Sequence, residues 1–391
     1  MKTKLSLTAI LFVIVIAIIS CKKYRLDSDN AAENYSAEPV LPEQPYNYSN
    51  SGNDHLASLG RVLFYDKNMS LNNSVSCASC HQQSRAFCDN MQFSVGLENG
   101  KTSRNSPSIF AKSGRMFWDG RANGIQDLVL KPIKNHVEMK FENLTALAKK
   151  ISSVQYYAPL FEKAFGSSTV DSNRIKLALA EFLNNFNFSE NKFSRSQKNL
   201  EALTASEAHG KNLFFGKGRC SGCHHIENQF AIPSNTFSSG YGFTNADFNI
   251  GLDKEYSDNG LGAITGNTFD NGKFMVPVLL NVEYTAPYMH DGRFKTLEEV
   301  VEHYSTGIQN HPNLDFQLKD VDFNNMNELE LLEKLDVNHD GDIDGFEMSR
   351  IPPVKLNFTL SEKRALVDFL KTLSDPSILT EPKFNNPFVL K

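Results

Sequence analysis

The chain has little to spare in the residues that usually mark special chemistry: one tryptophan and six cysteines in 391 residues, with a net charge of only −5. That mild balance excludes a broad basic surface for nucleic acid and an extended acidic tail, so partner choice falls to local patches. No apolar run suffices for a bilayer span. The run Ala9 to Ile19 covers eleven positions, where a spanning helix needs about twenty. No segment shows sustained strand-type alternation, which argues for a mostly α chain with long loops. With 40% hydrophobic residues, the length allows two domains of ordinary size, each with its own core.

What the chain does contain is one pentapeptide pattern used twice. Cys77-Ala78-Ser79-Cys80-His81 and Cys220-Ser221-Gly222-Cys223-His224 lie 143 positions apart (220 − 77). Each is Cys-x-x-Cys-His, the attachment sequence for c-type haem. Two thiols three positions apart reach the two vinyl groups of one porphyrin, and the adjacent imidazole falls under the iron as proximal ligand. A single copy also fits a zinc knuckle or a redox pair. Two copies at a domain-sized separation point to two covalent haems.

The first residues agree with that chemistry. Lys2 and Lys4 precede the apolar run as in a signal peptide, and Ile18-Ile19-Ser20-Cys21 resembles a lipoprotein cleavage site. Acylation of Cys21 would hold the protein on a membrane, at about 0.8 kcal/mol per buried methylene. A plain secreted protein is the alternative, and both readings place the chain outside the cytoplasm, where bacteria attach haem. With Cys21 assigned to lipid and four cysteines to haem, only Cys88 is left, and it reads as a buried small apolar residue.

Residues 1–21 are thus expected to be a signal peptide and 22–50 a polar, Pro-containing tether. An N-terminal haem domain follows over 51–195 and a C-terminal one over 196–378. Leu56, Leu59, Val62, Leu63 and Phe64 form a helical face leading into the first motif. Helical pattern runs over Leu144 to Phe165, and again from a cap at Asp171 or Ser172 with Ile175, Leu179, Phe182, Leu183 and Phe186 on one side. The polar run Ser189 to Asn199 reads as the boundary. Capping boxes Thr204/Glu207, Thr296/Glu299 and Thr359/Glu362 start three helices of the second half, the middle one with Leu297, Val300, Val301 and Tyr304 along one side.

The ordered set of motifs, which adds Arg104-Asn105-Ser106-Pro107, Phe117-Trp118-Asp119-Gly120-Arg121 and Ala286-Pro287-Tyr288-Met289-His290-Asp291-Gly292, resembles the bacterial dihaem cytochrome c peroxidase family. That family includes the methylamine-utilisation dihaem protein. The likeness covers roughly Asp54 to Ser374 and implies two cytochrome c-like domains. Peroxide chemistry is expected at the N-terminal haem, and electron entry at the C-terminal one.

Further assignments follow from the resemblance alone. Leu97 stands where many members carry a switchable distal histidine, which leaves the first haem without a protein ligand on its far side. Tyr304 stands where peroxidases usually supply a methionine to the second haem. Its bland reading is a core aromatic, and Met289 is the fallback ligand. Glu138, in His136-Val137-Glu138-Met139, matches the family's proton-moving glutamate, with a solvated surface carboxylate as its alternative. Leu128 stands where the family places a glutamine. Trp118 and Arg121 fit packing and haem-propionate pairing as well as any catalytic part. The resemblance also implies a calcium between the haems, bound by the Asn105 side chain and the Met275 and Pro277 carbonyls.

One local motif is unexpected in such a chain. Residues 336 to 347 match an EF-hand loop: Asp336, Asn338, Asp340 and Asp344 at the side-chain positions, Gly341 at the turn, Asp342 through its carbonyl, and Glu347 as bidentate ligand. Pro352-Pro353 cuts the exit helix short, so the insertion 327–350 reads as a structural calcium clip or an acidic surface turn. His136, His225, His290 and His311 read as structural.

The expected function is reduction of hydrogen peroxide with electrons from a small periplasmic cytochrome or cupredoxin. Oxidation of a protein or organic substrate, or plain electron transfer, are the alternatives. A lipid anchor is the expected membrane link, no nucleic acid is expected, and a homodimer is left open.

Overall fold

The computed structural model describes residues 38–48, 52–110, 114–186, 190–224, 247–321 and 350–389. Cys21, the expected lipidation site, and the EF-hand-like sequence 336–347 lie outside the described residues. Residues Pro39–Pro387 form one compact unit, and its described part is mostly helical.

In the first half the helices are α1 (Asp54–Tyr65), α2 (Cys77–Cys80), α3 (Ile125–Leu128), α4 (Lys131–Lys134), α5 (Leu144–Ser152), α6 (Tyr157–Phe165) and α7 (Ser172–Asn184). In the second half α8 (Lys192–Gln197), α9 (Ala205–Phe215), α10 (Gly262–Thr265), α11 (Leu297–Glu302) and α12 (Leu360–Lys371) follow. Two antiparallel ribbons join them, β1 (Arg115–Met116) with β2 (Ala122–Asn123), and β3 (Asp247–Phe248) with β4 (Phe274–Met275).

Helix starts follow sequence chemistry closely. Asn53 caps α1 by accepting the Leu56 N–H at 3.1 Å, and Asp171 caps α7 by accepting that of Arg174 at 2.8 Å. All three capping boxes form, at Thr204/Glu207, Thr296/Glu299 and Thr359/Glu362. The apolar face expected for α7 is buried in full. Three expectations needed refinement. The pattern Leu144 to Phe165 is two helices, interrupted between Ser152 and Tyr157. The polar run after Ser189 contains α8, which buries Phe193 in the second core. The face of α11 stops short of Tyr304, because the chain passes into a π-turn over His303–Gly307.

The two halves repeat one helix crossing. In the first, α1 lies on α7 with Gly60 against Ala178: a Cβ on Gly60 would fall 1.9 Å from the Ala178 carbonyl oxygen and 2.7 Å from Phe182 Cβ. In the second, α9 lies on α12, and a Cβ on Gly210 would fall 1.8 Å from the Ala365 oxygen and 2.8 Å from Phe369 Cβ. Four residues after each glycine comes a phenylalanine. Phe64 meets Phe182 at 5.4 Å and Phe214 meets Phe369 at 5.3 Å, both edge-to-face at 62°. The same rings stand 6.5 Å from His81 and 6.4 Å from His224. Thus each Cys-x-x-Cys-His segment is delivered by an equivalent helix pair whose close approach requires glycine.

Gly60→Ala and Gly210→Ala should each destabilise the protein by about 1–3 kcal/mol through overpacking. A denaturation midpoint unchanged in both variants would show that these crossings are looser than described.

Candidate haem sites and the contacts between them

At the first motif, α2 is a single turn held by the Ser76 N–H, which donates to Ser79 Oγ at 3.0 Å. The His81 N–H donates to the Cys77 carbonyl at 2.9 Å, which closes the turn that carries both thiols and the imidazole. His81 Nδ1 lies 2.8 Å from the Phe87 carbonyl, an acceptor only, so Nδ1 carries the proton and Nε2 presents its lone pair. Burial lowers the His81 pKa, which keeps the ring neutral as a ligand must be. Burial pushes both thiols up to about 12, with the Glu138 charge adding to the effect on each. Ser106, of the Arg-Asn-Ser-Pro motif, donates to the Cys80 carbonyl at 3.2 Å. Two neutral thiols, a neutral imidazole with Nε2 available and an aromatic floor fit a c-type haem.

Leu97 and Glu138 are brought together by main-chain contact. The Leu97 N–H donates to the Val137 carbonyl at 2.7 Å, and Leu97 is 3% exposed. A Cβ on Gly96 would fall 2.1 Å from that same oxygen and 3.2 Å from Glu138 Cα, so this approach requires glycine. Glu138 is half-buried, and its carboxyl accepts no hydrogen bond among the described residues. Burial raises its pKa, and the Arg121 charge opposes that rise. A solvated surface carboxylate does not describe it. It is a partly desolvated group within electrostatic reach of both Cys77 and Cys80.

At the second motif, Arg219 takes a left-handed conformation (φ 55°) and opens a 3-10 turn over Cys220–Gly222. The His224 N–H donates to the Cys220 carbonyl at 2.9 Å, as His81 does to Cys77. Burial pushes Cys220 up to about 12 and Cys223 well above its usual value. Tyr304 lies in the π-turn beyond α11, packed with Leu318 and Leu356 against Ile308, Leu314 and Val354. Burial drives its hydroxyl pKa far upward, and the next contributions come from Cys223 and Cys220. The phenol is therefore within electrostatic reach of the second thiol pair, and it makes no hydrogen bond among the described residues. Single π-turns inside helices are frequent at functional sites.

A charged junction joins the Arg-Asn-Ser-Pro motif to Asp258 of the second half. Arg104 binds Asp258 through two nitrogens, at 2.7 and 2.8 Å, and also pairs with the buried Asp119. Asp119 holds Arg121 Nη1 at 2.9 Å, and the Arg121 guanidinium lies 3.7 Å over the Phe117 ring. Trp118 donates through Nε1 to the Asn105 carbonyl at 2.9 Å, while its own carbonyl accepts from the Met275 N–H at 2.8 Å. Asn105 is anchored by its N–H on the His290 carbonyl and by Nδ2 on the Met91 carbonyl. Pro277, third in the expected calcium set, is exposed.

Of the histidines read as structural, His290 stacks on Phe274 at 3.7 Å and is lowered to about 4 by burial. His311 accepts from the Asn313 N–H at 2.9 Å. His225 lies outside the described residues. Sequence reasoning missed the acceptors Phe87 and Asp258, and Gln317, whose Nε2 donates to the Gly222 carbonyl at 3.4 Å. None stands in a motif. Main-chain acceptors and long-range partners leave no periodic signal.

Comparison with known proteins places this geometry. The di-haem cytochrome c peroxidase family matches residues 54–202. Cytochrome c551 peroxidase of Nitrosomonas europaea is 34% identical over 268 residues, 67% of this chain and 76% of that one. Methylamine utilization protein MauG of Methylorubrum extorquens is 30% identical over 382 residues, 93% of this chain and 88% of that one. The chain belongs to the di-haem cytochrome c peroxidase family. It is therefore an oxidoreductase, and the family implies two c-type haems. Among solved structures, a MauG-like protein associated with microbial copper homeostasis aligns with a TM-score of 0.68 at 29% identity, covering 90% of this chain and 99% of that one. The diheme peroxidase BthA of Burkholderia thailandensis shares the fold, with a TM-score of 0.61 at 22% identity.

Proposed function

We propose that this family member reduces hydrogen peroxide to water at the site of Cys77, Cys80 and His81. Electrons enter through the site of Cys220, Cys223 and His224, from a small periplasmic cytochrome or cupredoxin. The two helix crossings are then the cores of two cytochrome c-like domains, peroxidatic first and electron-transferring second. The observation that carries the reading is the pairing of Leu97 with Glu138: an apolar, non-ligating residue beside a partly desolvated carboxyl that reaches toward the first thiol pair.

Cys77, Cys80 and His81 would hold a haem at the first site, and that haem would supply the redox chemistry for splitting peroxide. The chain's part is to hold and move protons. His81 is fixed by the Phe87 carbonyl, so its Nε2 keeps one orientation. Glu138, ionised, takes the proton from the inner oxygen and returns it to the outer one, which leaves as water. Leu97, which has no lone pair to offer, would leave that haem without a competing protein ligand. The balance is hydrogen peroxide plus two protons and two electrons to two waters. Tyr304 would supply a phenolate oxygen to a haem held by Cys220, Cys223 and His224, which would favour its ferric state.

A second reading is oxidation of a protein or organic substrate, as MauG-type similarity over 93% of the chain and the Leu97 and Tyr304 readings favour. The two separate by substrate: an added reduced cytochrome or cupredoxin is consumed with peroxide under the first and spared under the second.

We also assign calcium two places. One lies at Asn105, Met275 and Pro277, supported by Trp118, which ties Asn105 to Met275. The other is the loop Asp336, Asn338, Asp340, Asp342, Asp344 and Glu347, supported by its spacing alone. Calorimetry should show the Glu347→Gln variant taking up one calcium fewer than the parent, and equal uptake discards the loop as a site. The signal sequence and Cys21 support a lipid-anchored protein on the periplasmic or cell-surface side.

A further inference from the structure

Beside the first haem site stands a titratable cluster that the peroxide reaction does not use. Asp66, 4% exposed, directly follows α1. Its Oδ1 accepts the Asn68 N–H at 2.8 Å and so caps the turn Lys67–Met69. That cap needs one oxygen. The other, Oδ2, accepts two phenols at once, Tyr156 Oη and Tyr157 Oη, each at 2.6 Å. Tyr157 is fully buried, and the two rings lie 4.8 Å apart. Such short bonds to a carboxylate are charge-assisted. The way from Asp66 to His81 is aromatic: Asp66 is the next residue after Tyr65, whose ring lies 5.3 Å from that of Phe64, which lies 6.5 Å from that of His81.

A buried phenol gives up an electron readily only if its proton leaves with it. Here the Asp66 carboxyl oxygen already accepts that proton in a hydrogen bond, so no water or diffusing base is required. Two phenols share one oxygen, and that oxygen can take one proton. The cluster therefore stores one equivalent at a time.

We propose that Tyr156 and Tyr157, with Asp66 as their shared proton acceptor, form a one-electron oxidation site that relieves the first haem when no electron arrives from the second. The inference rests on the peroxide reading above. In the step, one tyrosine loses an electron to the peroxide-oxidised centre at Cys77, Cys80 and His81, which is reduced by one equivalent. The phenolic proton passes to Asp66 Oδ2, leaving a neutral phenoxyl radical and a neutral carboxyl. An electron from the donor later reverses both transfers.

The test treats the holoprotein with hydrogen peroxide in the absence of donor, freezes it and records its electron paramagnetic resonance. A tyrosyl signal that narrows in protein made with ring-deuterated tyrosine is expected. It should fall at least ten-fold in the Tyr156→Phe, Tyr157→Phe double variant and fall in Asp66→Asn. A spin trap added to the parent protein, followed by mass spectrometry, should mark Tyr156 or Tyr157, which checks the assignment without any substitution. An undiminished signal in the double variant, or adducts at other residues alone, overturns the proposal. Peroxide consumption with no tyrosyl signal also overturns it while leaving the peroxide reading intact. A protein inert to peroxide overturns both.

Discussion

Replacement of Glu138 by Gln should lower kcat/KM for hydrogen peroxide by about 10²–10⁴, the usual contribution of a positioned proton-transfer group. Gln keeps the shape and the polar tip but cannot accept the proton from the inner peroxide oxygen, so the loss should appear in the peroxide step. Electron uptake at the second haem should be unaffected. The pH dependence gives an independent check. The active form is the carboxylate, and burial raises the pKa of Glu138. Activity should therefore be lost as pH falls through that raised value, with an acid limb above the ordinary glutamate range near about 4.3. Arg121 opposes the shift, so Arg121→Gln should move the limb to still higher pH. A Glu138→Gln protein with parental kcat/KM would place the proton carrier elsewhere.

The second large effect is expected at Tyr304. Exchange for Phe removes the only oxygen of that side chain, which lies within electrostatic reach of Cys220 and Cys223, and should change the low-spin absorption and paramagnetic spectra of one haem only. Exchange for Met supplies a thioether in place of a phenolate. Axial ligands spread haem potentials over about 0.8 V, so a rise on the order of 0.1–0.3 V at the second haem is the expected result. The physical reason is that phenolate favours ferric iron and thioether favours ferrous. Because burial drives the free phenol's pKa far upward, Tyr304 should ionise only when bound to the metal. If Tyr304→Phe leaves both haem spectra unchanged, Tyr304 is a core aromatic.

Much of this was legible in the sequence, and unevenly so. The two Cys-x-x-Cys-His segments, the capping boxes and the buried face of α7 are local patterns whose spacing is set by covalent and helical geometry. The Gly60/Ala178 and Gly210/Ala365 crossings were not legible, because a glycine inside a helix gives no sign of which carbonyl will face it. Tyr304 shows the opposite failure. Its sequence position continues the apolar side of α11, yet the π-turn over His303–Gly307 takes it out of that register, and it packs instead against Ile308, Leu314 and Val354. Glu138 was found through resemblance, and the close approach at Gly96 then gave it a physical setting. The Arg104, Asp119 and Asp258 junction came from structure alone, since its acidic partners are 15 and 154 positions from the arginine.

The central claim is that the first haem site is open to peroxide as it stands, with Leu97 offering no competing ligand and Glu138 moving the proton. The direct measurement is rapid mixing of the fully oxidised holoprotein with one equivalent of hydrogen peroxide, followed by absorption in the haem region. A fast spectral change without prior reduction, reversed on adding a reduced donor, is the expected result. A protein that responds only after one haem has been reduced would contradict the reading of Leu97, and one that responds in neither state would contradict peroxide chemistry at this site.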